Sequence, residues 1–162
     1  EIAQGSEFIE DGGSITINAS SDDAMNSLDS FNIVGVLVTI THEDTETVNG
    51  PLCAVAEPPQ DDTVEATISH ADLSAGEADT NSFDFQLNWH NSSLVNTNVS
   101  NMTKADIESM LDGGGIGFGM HDLVIGVTVQ NGGGLGCNSN DDGQDVSYTI
   151  ELVSLDYSVN PV

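Results

Sequence analysis

The stretch Asn138-Ser139-Asn140-Asp141-Asp142-Gly143-Gln144-Asp145 alternates oxygen-bearing side chains with spacers and sets a glycine after the third of them. Calcium loops use this spacing. Side-chain oxygens stand at the first, third and fifth positions, a glycine at the sixth makes the sharp turn, and a backbone carbonyl serves at the seventh. The pattern nominates Asn138, Asn140, Asp142 and Gln144 as ligands of Ca2+, with Asp145 as a further carboxylate. Position one is Asn instead of Asp and position twelve is Thr149 instead of Glu, so the loop is not an EF-hand. The plainer alternative is an Asn/Asp/Gly hairpin loop that does no more than satisfy turn geometry.

Cys53 and Cys137 are the two cysteines, and no Cys-x-x-Cys is present, which leaves zinc ribbons and thioredoxin-like motifs unsupported. An even count fits a disulfide. Closing so long a loop would be worth on the order of 4 kcal/mol. Two buried free thiols are the alternative. The histidines His42, His70, His90 and His121 show no ligand spacing, and His42-Glu43-Asp44-Thr45-Glu46 lacks the second His of H-E-x-x-H. They are expected on a polar rim at strand ends. Asp22-Asp23, Glu43-Asp44-Glu46 and Asp61-Asp62 read as solvated loop charge, with a second cation site between loops as the sharper alternative. No G-x-S-x-G elbow exists, and Gly132-Gly133-Gly134 lacks the Lys and helix of a phosphate cradle. Nothing in these motifs points to an enzyme. Asn18, Asn91, Asn98 and Asn101 begin Asn-x-Ser/Thr sequons and are candidate glycosylation sites, three of them in one polar stretch.

The balance of charge narrows the partners. Across 162 residues, 27 Asp and Glu face a single Lys or Arg, for a net charge of −26. Neutralising phosphates takes Lys and Arg, so nucleic acid is excluded as a partner, and so is an anionic membrane surface. No apolar run reaches the roughly 18–20 residues of a transmembrane segment. With 38% hydrophobic residues the chain is not an acidic disordered tail either. Such unbalanced charge repels itself and calls for screening by salt or divalent cations. The first residue is Glu1 and not Met, so the N-terminus is processed or the sequence is a fragment; removal of a signal peptide is the simplest account and points outside the cytosol. Gly5-Ser6-Glu7-Phe8 is also what a cloning junction can encode.

The elements that must position these residues are mostly strands. Ser14–Asn18 is a short one. Phe31–His42 is apolar on both faces, as a central strand requires. Thr63–Ser69 alternates cleanly, and so does Phe83–Trp89, with Phe83, Phe85, Leu87 and Trp89 on one face. That phase assigns Trp89 to the core. Leu123–Gln130 is another strand. Val146–Val159 changes phase near Leu152-Val153, where a β-bulge is expected. One helix is expected after Thr103, capped with Asp106 and ended by Gly113-Gly114-Gly115. Residues 1–13 are a polar extension, and residues 19–30, 43–62, 70–82 and 131–145 are loops. The whole reads as one all-β domain over residues 1–162, an antiparallel β-sandwich or jelly-roll-like fold with one short helix.

The second half resembles a known layout. An apolar strand (Gly119–Gln130) leads through GGGLGCNSNDDGQD to a long closing strand, VSYTIELVSLDYSV. It is similar to the secreted pre-peptidase C-terminal-like β-sandwich modules, including acidic versions on marine and halophilic archaeal surface proteins. The resemblance covers residues 31–159 and implies a disulfide between Cys53 and Cys137, calcium as a common ligand, and no active site. The expected function is a non-catalytic extracellular module of a cell-surface or secreted protein, stabilised by calcium and attached to a larger surface protein. The alternative is a structural subunit that self-associates into a filament or shell. In it, the N-terminal segment (residues 1–13 or Ile15–Asn18) is a strand donor to a neighbour's sheet edge. A hydrolase or carbohydrate binder has no specific motif behind it.

Overall fold

The computed structural model describes residues 1–26, 33–43, 47–50, 61–89, 97–111, 116–130, 133–134, 137–155, 158 and 160. Eleven strands and two helices follow in the order β1 (Ala3–Glu10), β2 (Ser14–Ser20), α1 (Asp22–Asn26), β3 (Ile33–His42), β4 (Thr47–Asn49), β5 (Thr63–His70), β6 (Leu73–Asp79), β7 (Phe83–Asn88), α2 (Lys104–Leu111), β8 (Met120–Thr128), β9 (Gly133–Gly134), β10 (Cys137–Asn140) and β11 (Gly143–Ser154). Eight of the strands form two antiparallel four-stranded sheets, ordered β1-β11-β3-β7 and β2-β8-β5-β6. Successive strands cross repeatedly from one sheet to the other. This is the connectivity of a two-sheet jelly roll. A small third sheet, β4-β10-β9, lies in what the sequence reads as loops.

The strands form where side chains alternate. β5 runs half-buried Thr63, buried Val64, exposed Glu65, buried Ala66, exposed Thr67, buried Ile68, and β7 repeats the scheme from Phe83 to Leu87. Their inward residues meet Val36, Val38 and Ile40 of β3, Leu123, Ile125 and Val127 of β8, and Val146 and Ile150 of β11 in one continuous core. β3 sits between β11 and β7, as its two apolar faces require. Beside the bulge expected at Leu152-Val153, the register of β11 against β3 shifts between Val153 and Ser154, and the extra residue, Val34, is on β3. Helix α2 starts as its capping box dictates. Asp106 N–H donates to Thr103 Oγ1 (3.2 Å) and Thr103 N–H donates to Asp106 Oδ2 (2.9 Å).

Four expectations need correction. Residues 3–10 are not a lead-in but strand β1, paired with β11 along its length. Residues 73–79 of the supposed polar connection are edge strand β6, paired with β5. Both edge strands carry few large inward side chains, so neither shows an apolar alternation. Asp22–Asn26, within the expected 19–30 loop, is a short helix, so there are two helices among the described residues. The 131–145 loop contains β9, β10 and the first residues of β11. Cys53, Asn91 and His90 lie outside the described residues. Of Cys137, Asn138 and Asn140 only the backbone in β10 is described.

Candidate functional site

One end of the sandwich is closed by three aromatic side chains that the strand phases deliver there. His70 ends β5 in the inward phase of Val64, Ala66 and Ile68. His121 enters β8 in the inward phase of Leu123 and Ile125. Trp89 follows β7 in the inward phase of Phe85 and Leu87. All three are buried, His121 completely and Trp89 to 3% exposure. The imidazoles stack with centroids 4.2 Å apart and planes at 18°, and the indole lies 5.9 Å from His70 and 5.8 Å from His121.

The backbone of Gly117 joins the cluster together. Its N–H donates to His70 Nε2 (3.2 Å), and its carbonyl accepts from His121 Nε2 (3.0 Å) and from the Ser21 hydroxyl. Its φ is +97°, and a Cβ there would lie 2.5 Å from the Trp89 ring, so both the conformation and the space require glycine. His70 Nδ1 donates to the Met120 carbonyl (2.9 Å) and Trp89 Nε1 to the Ile33 carbonyl (3.1 Å). Ser21 N–H also donates to the Gly119 carbonyl (3.0 Å). These partners set the tautomers: His70 carries its proton on Nδ1, and His121 carries its proton on Nε2. His121 Nδ1 is then a bare lone pair, buried and without a partner. Burial holds the His121 pKa below its ordinary 6.5, against the pull of the Gly117 carbonyl, and the neighbouring His70 adds to the lowering.

Chemically this arrangement braces the chain. Ser21 donates to carbonyls and not to an imidazole, so it is not the activated hydroxyl of a Ser–His pair. The cluster holds residues 117–120 against the ends of β5, β7 and β8. It also corrects the expectation of a solvated histidine rim. His42, His70 and His121 are all buried, His42 with neither ring nitrogen hydrogen-bonded. The signal was in the sequence, because each histidine keeps the inward phase of its strand, by the same reasoning that assigns Trp89 to the core.

The predicted calcium ligands are strung along a strand, a turn and a second strand. Asn138 pairs with Asn49 and Gly133, and Asn140 pairs with Thr47. Asp141 Oδ1 accepts from Gly143 N–H (3.0 Å), and the Asp142 carbonyl accepts from Asp11 N–H (2.9 Å). Gln144 points into the core at 1% exposure with its Nε2 unpartnered. Asp145 is exposed on the opposite face of β11, and Asp142 is exposed as well. Among the described residues no group of three or more His, Cys, Asp and Glu side chains converges. Asn18, Asn98 and Asn101 are exposed, as attachment of a sugar needs. A shallow groove of about 190 Å³ runs between Thr39–Thr41 and Ser82–Asp84 with no titratable group but Asp84. No helix among the described residues is long and apolar enough to cross a membrane. No protein-family model, no curated protein and no solved structure matches the chain.

Proposed function

We propose that the chain is a non-catalytic β-sandwich module of a secreted or cell-surface protein, where it spaces or stabilises a larger assembly. The observation behind this reading is the destination of the buried polar groups. His70, His121, Trp89 and Ser21, the residues best equipped for chemistry, all bond to main-chain atoms of residues 33 and 117–120. A site that reacts with a ligand keeps such groups convergent on an open cleft. The two-sheet architecture, the net charge of −26 and the resemblance to secreted sandwich modules agree with a saline exterior.

The compartment is tested through the cysteines. Material recovered from its native source and alkylated without reduction should show a Cys53–Cys137 disulfide by peptide mass. Full alkylation of both thiols would remove the extracellular reading. Calcium enters as a stabiliser bound through Asp142, Asp145 and the asparagines of β10. Adding it to chelator-treated protein should raise the melting temperature, and the rise should vanish in the Asp142→Asn/Asp145→Asn variant. An equal rise in that variant would remove the loop as its site.

A further inference from the structure

We propose that β1 is an exchangeable strand, which leaves the edge of its own β11 and seats in the same register on the β11 of a second copy of this chain. The inference goes beyond the module reading and names its partner. β1 is an edge strand of its sheet, hydrogen-bonded to β11 alone. Of its eight residues only Ile9 is buried, and Glu7, in the inward phase, is exposed. The core therefore holds β1 mainly through one side chain and the backbone ladder.

The seat is specific. Gly5 lies under Tyr148, where a Cβ would come 2.5 Å from the phenol oxygen. Gly143 lies against Ile9 and Glu10, where a Cβ would come 2.8 Å from Glu10 Cα. A slip by one residue would drive Gln4 or Ser6 into the Tyr148 ring, so only one register fits. The segment that joins β1 to β2 bonds back to Glu10 and Asp142 through Gly13 N–H (2.8 Å) and Asp11 N–H (2.9 Å), and it also has anchors outside the β1–β11 pair. Gly12 N–H donates to the Val127 carbonyl (3.0 Å), Val127 N–H to the Gly13 carbonyl (3.2 Å), and Val129 N–H to Asp11 Oδ1 (3.0 Å). For β1 to swing from residues 11–13, the bonds of Gly13 to Glu10 and of Asp11 to Asp142 must open, while those to Val127 and Val129 stay made.

Charge favours this mode over a docked interface. A chain with one cation has no basic patch to offer a copy of itself. Strand exchange needs none, because the contacts between chains repeat those within one chain. The β1–β11 register sets Glu7 opposite Val146, Phe8 opposite Asp145 and Glu10 opposite Gly143, so no two carboxylates face each other across the seam.

The Ser6 and Ser147 hydroxyls lie 3.1 Å apart across that seam. The test mixes a Ser6→Cys chain with a Ser147→Cys chain at high concentration in high salt, oxidises the mixture, and maps cross-links by mass spectrometry. A 6–147 link between chains is expected, rising with protein concentration and lost when Glu151→Cys replaces Ser147→Cys. A Ser6→Cys/Ser147→Cys double variant oxidised at high dilution should link within one chain, which certifies the fold and the geometry. If the double variant links and the mixed single variants do not, or if Glu151→Cys gives the same yield, the exchange is overturned.

Discussion

His121 is fully buried, and its ring sits between the Gly117 carbonyl and the His70 imidazole. Its proton-free Nδ1 has no acceptor or donor beside it, and a second imidazole is stacked 4.2 Å away. Charging it would put a cation in the core with one nitrogen unsatisfied. Its folded pKa is lowered from 6.5, so the unfolded chain takes up the proton first as pH falls. The stability it contributes is complete above about pH 6.5 and is lost as pH drops through the folded value. The urea midpoint should fall between about pH 7 and about pH 5, a window above the titration of ordinary carboxylates. His121→Gln keeps a donor for the Gly117 carbonyl without the titration, and its urea midpoint should change less across that window. Gly117 sits at the same point. Gly117→Ala must accept a positive φ and collide with the indole, which should cost about 2–4 kcal/mol and shift Trp89 emission to the red.

The strands differ in how far the sequence foretells them, and the difference has a physical source. β5 and β7 bury every second residue, so period-two alternation marks them. β3 is buried on both faces and is marked by its run of Ile and Val. β1 and β6 hold Ala3, Gly5, Glu7, Leu73 and Ala75 at inward positions where β7, an edge strand as they are, has Phe83, Phe85 and Leu87. Such strands are specified by the backbone ladder of a neighbour distant in sequence, which no local pattern records. The histidine cluster was half legible: strand phase places its members inward, but only the fold reveals that β5 and β8 are neighbours. The Asn/Asp/Gly spacing stands in the sequence, but that residues 143–145 open strand β11 does not. Ile9 gives β1 its one buried anchor. Ile9→Ala should cost about 2–3 kcal/mol and abolish hydrogen-exchange protection over residues 3–10. The β2–β8 ladder should stay protected.

At the scale of the molecule, 27 carboxylates answer to one lysine, whose contact with Glu108 at 3.3 Å is exposed and weak. The folded state gathers this charge into a small volume and the unfolded chain disperses it, so folding works against its own repulsion. Sodium chloride shortens the screening length from about 30 Å at 0.01 M to about 3 Å at 1 M. Melting temperature should climb over that range, by about 2–4 °C for each kcal/mol of repulsion relieved. A flat response would mean that bound cations already neutralise the surface.

Because Lys104 opens α2, a protease specific for basic residues can sever this chain at one peptide bond, in the first turn that Thr103 and Asp106 hold closed. The piece before the cut owns β1 to β7, and the piece after it owns β8 and β11. Each of the latter two is an inner strand flanked on both sides by strands of the former. The nicked protein should therefore stay whole in native buffer and come apart only in denaturant, and its two fragments should find each other again when the denaturant is withdrawn.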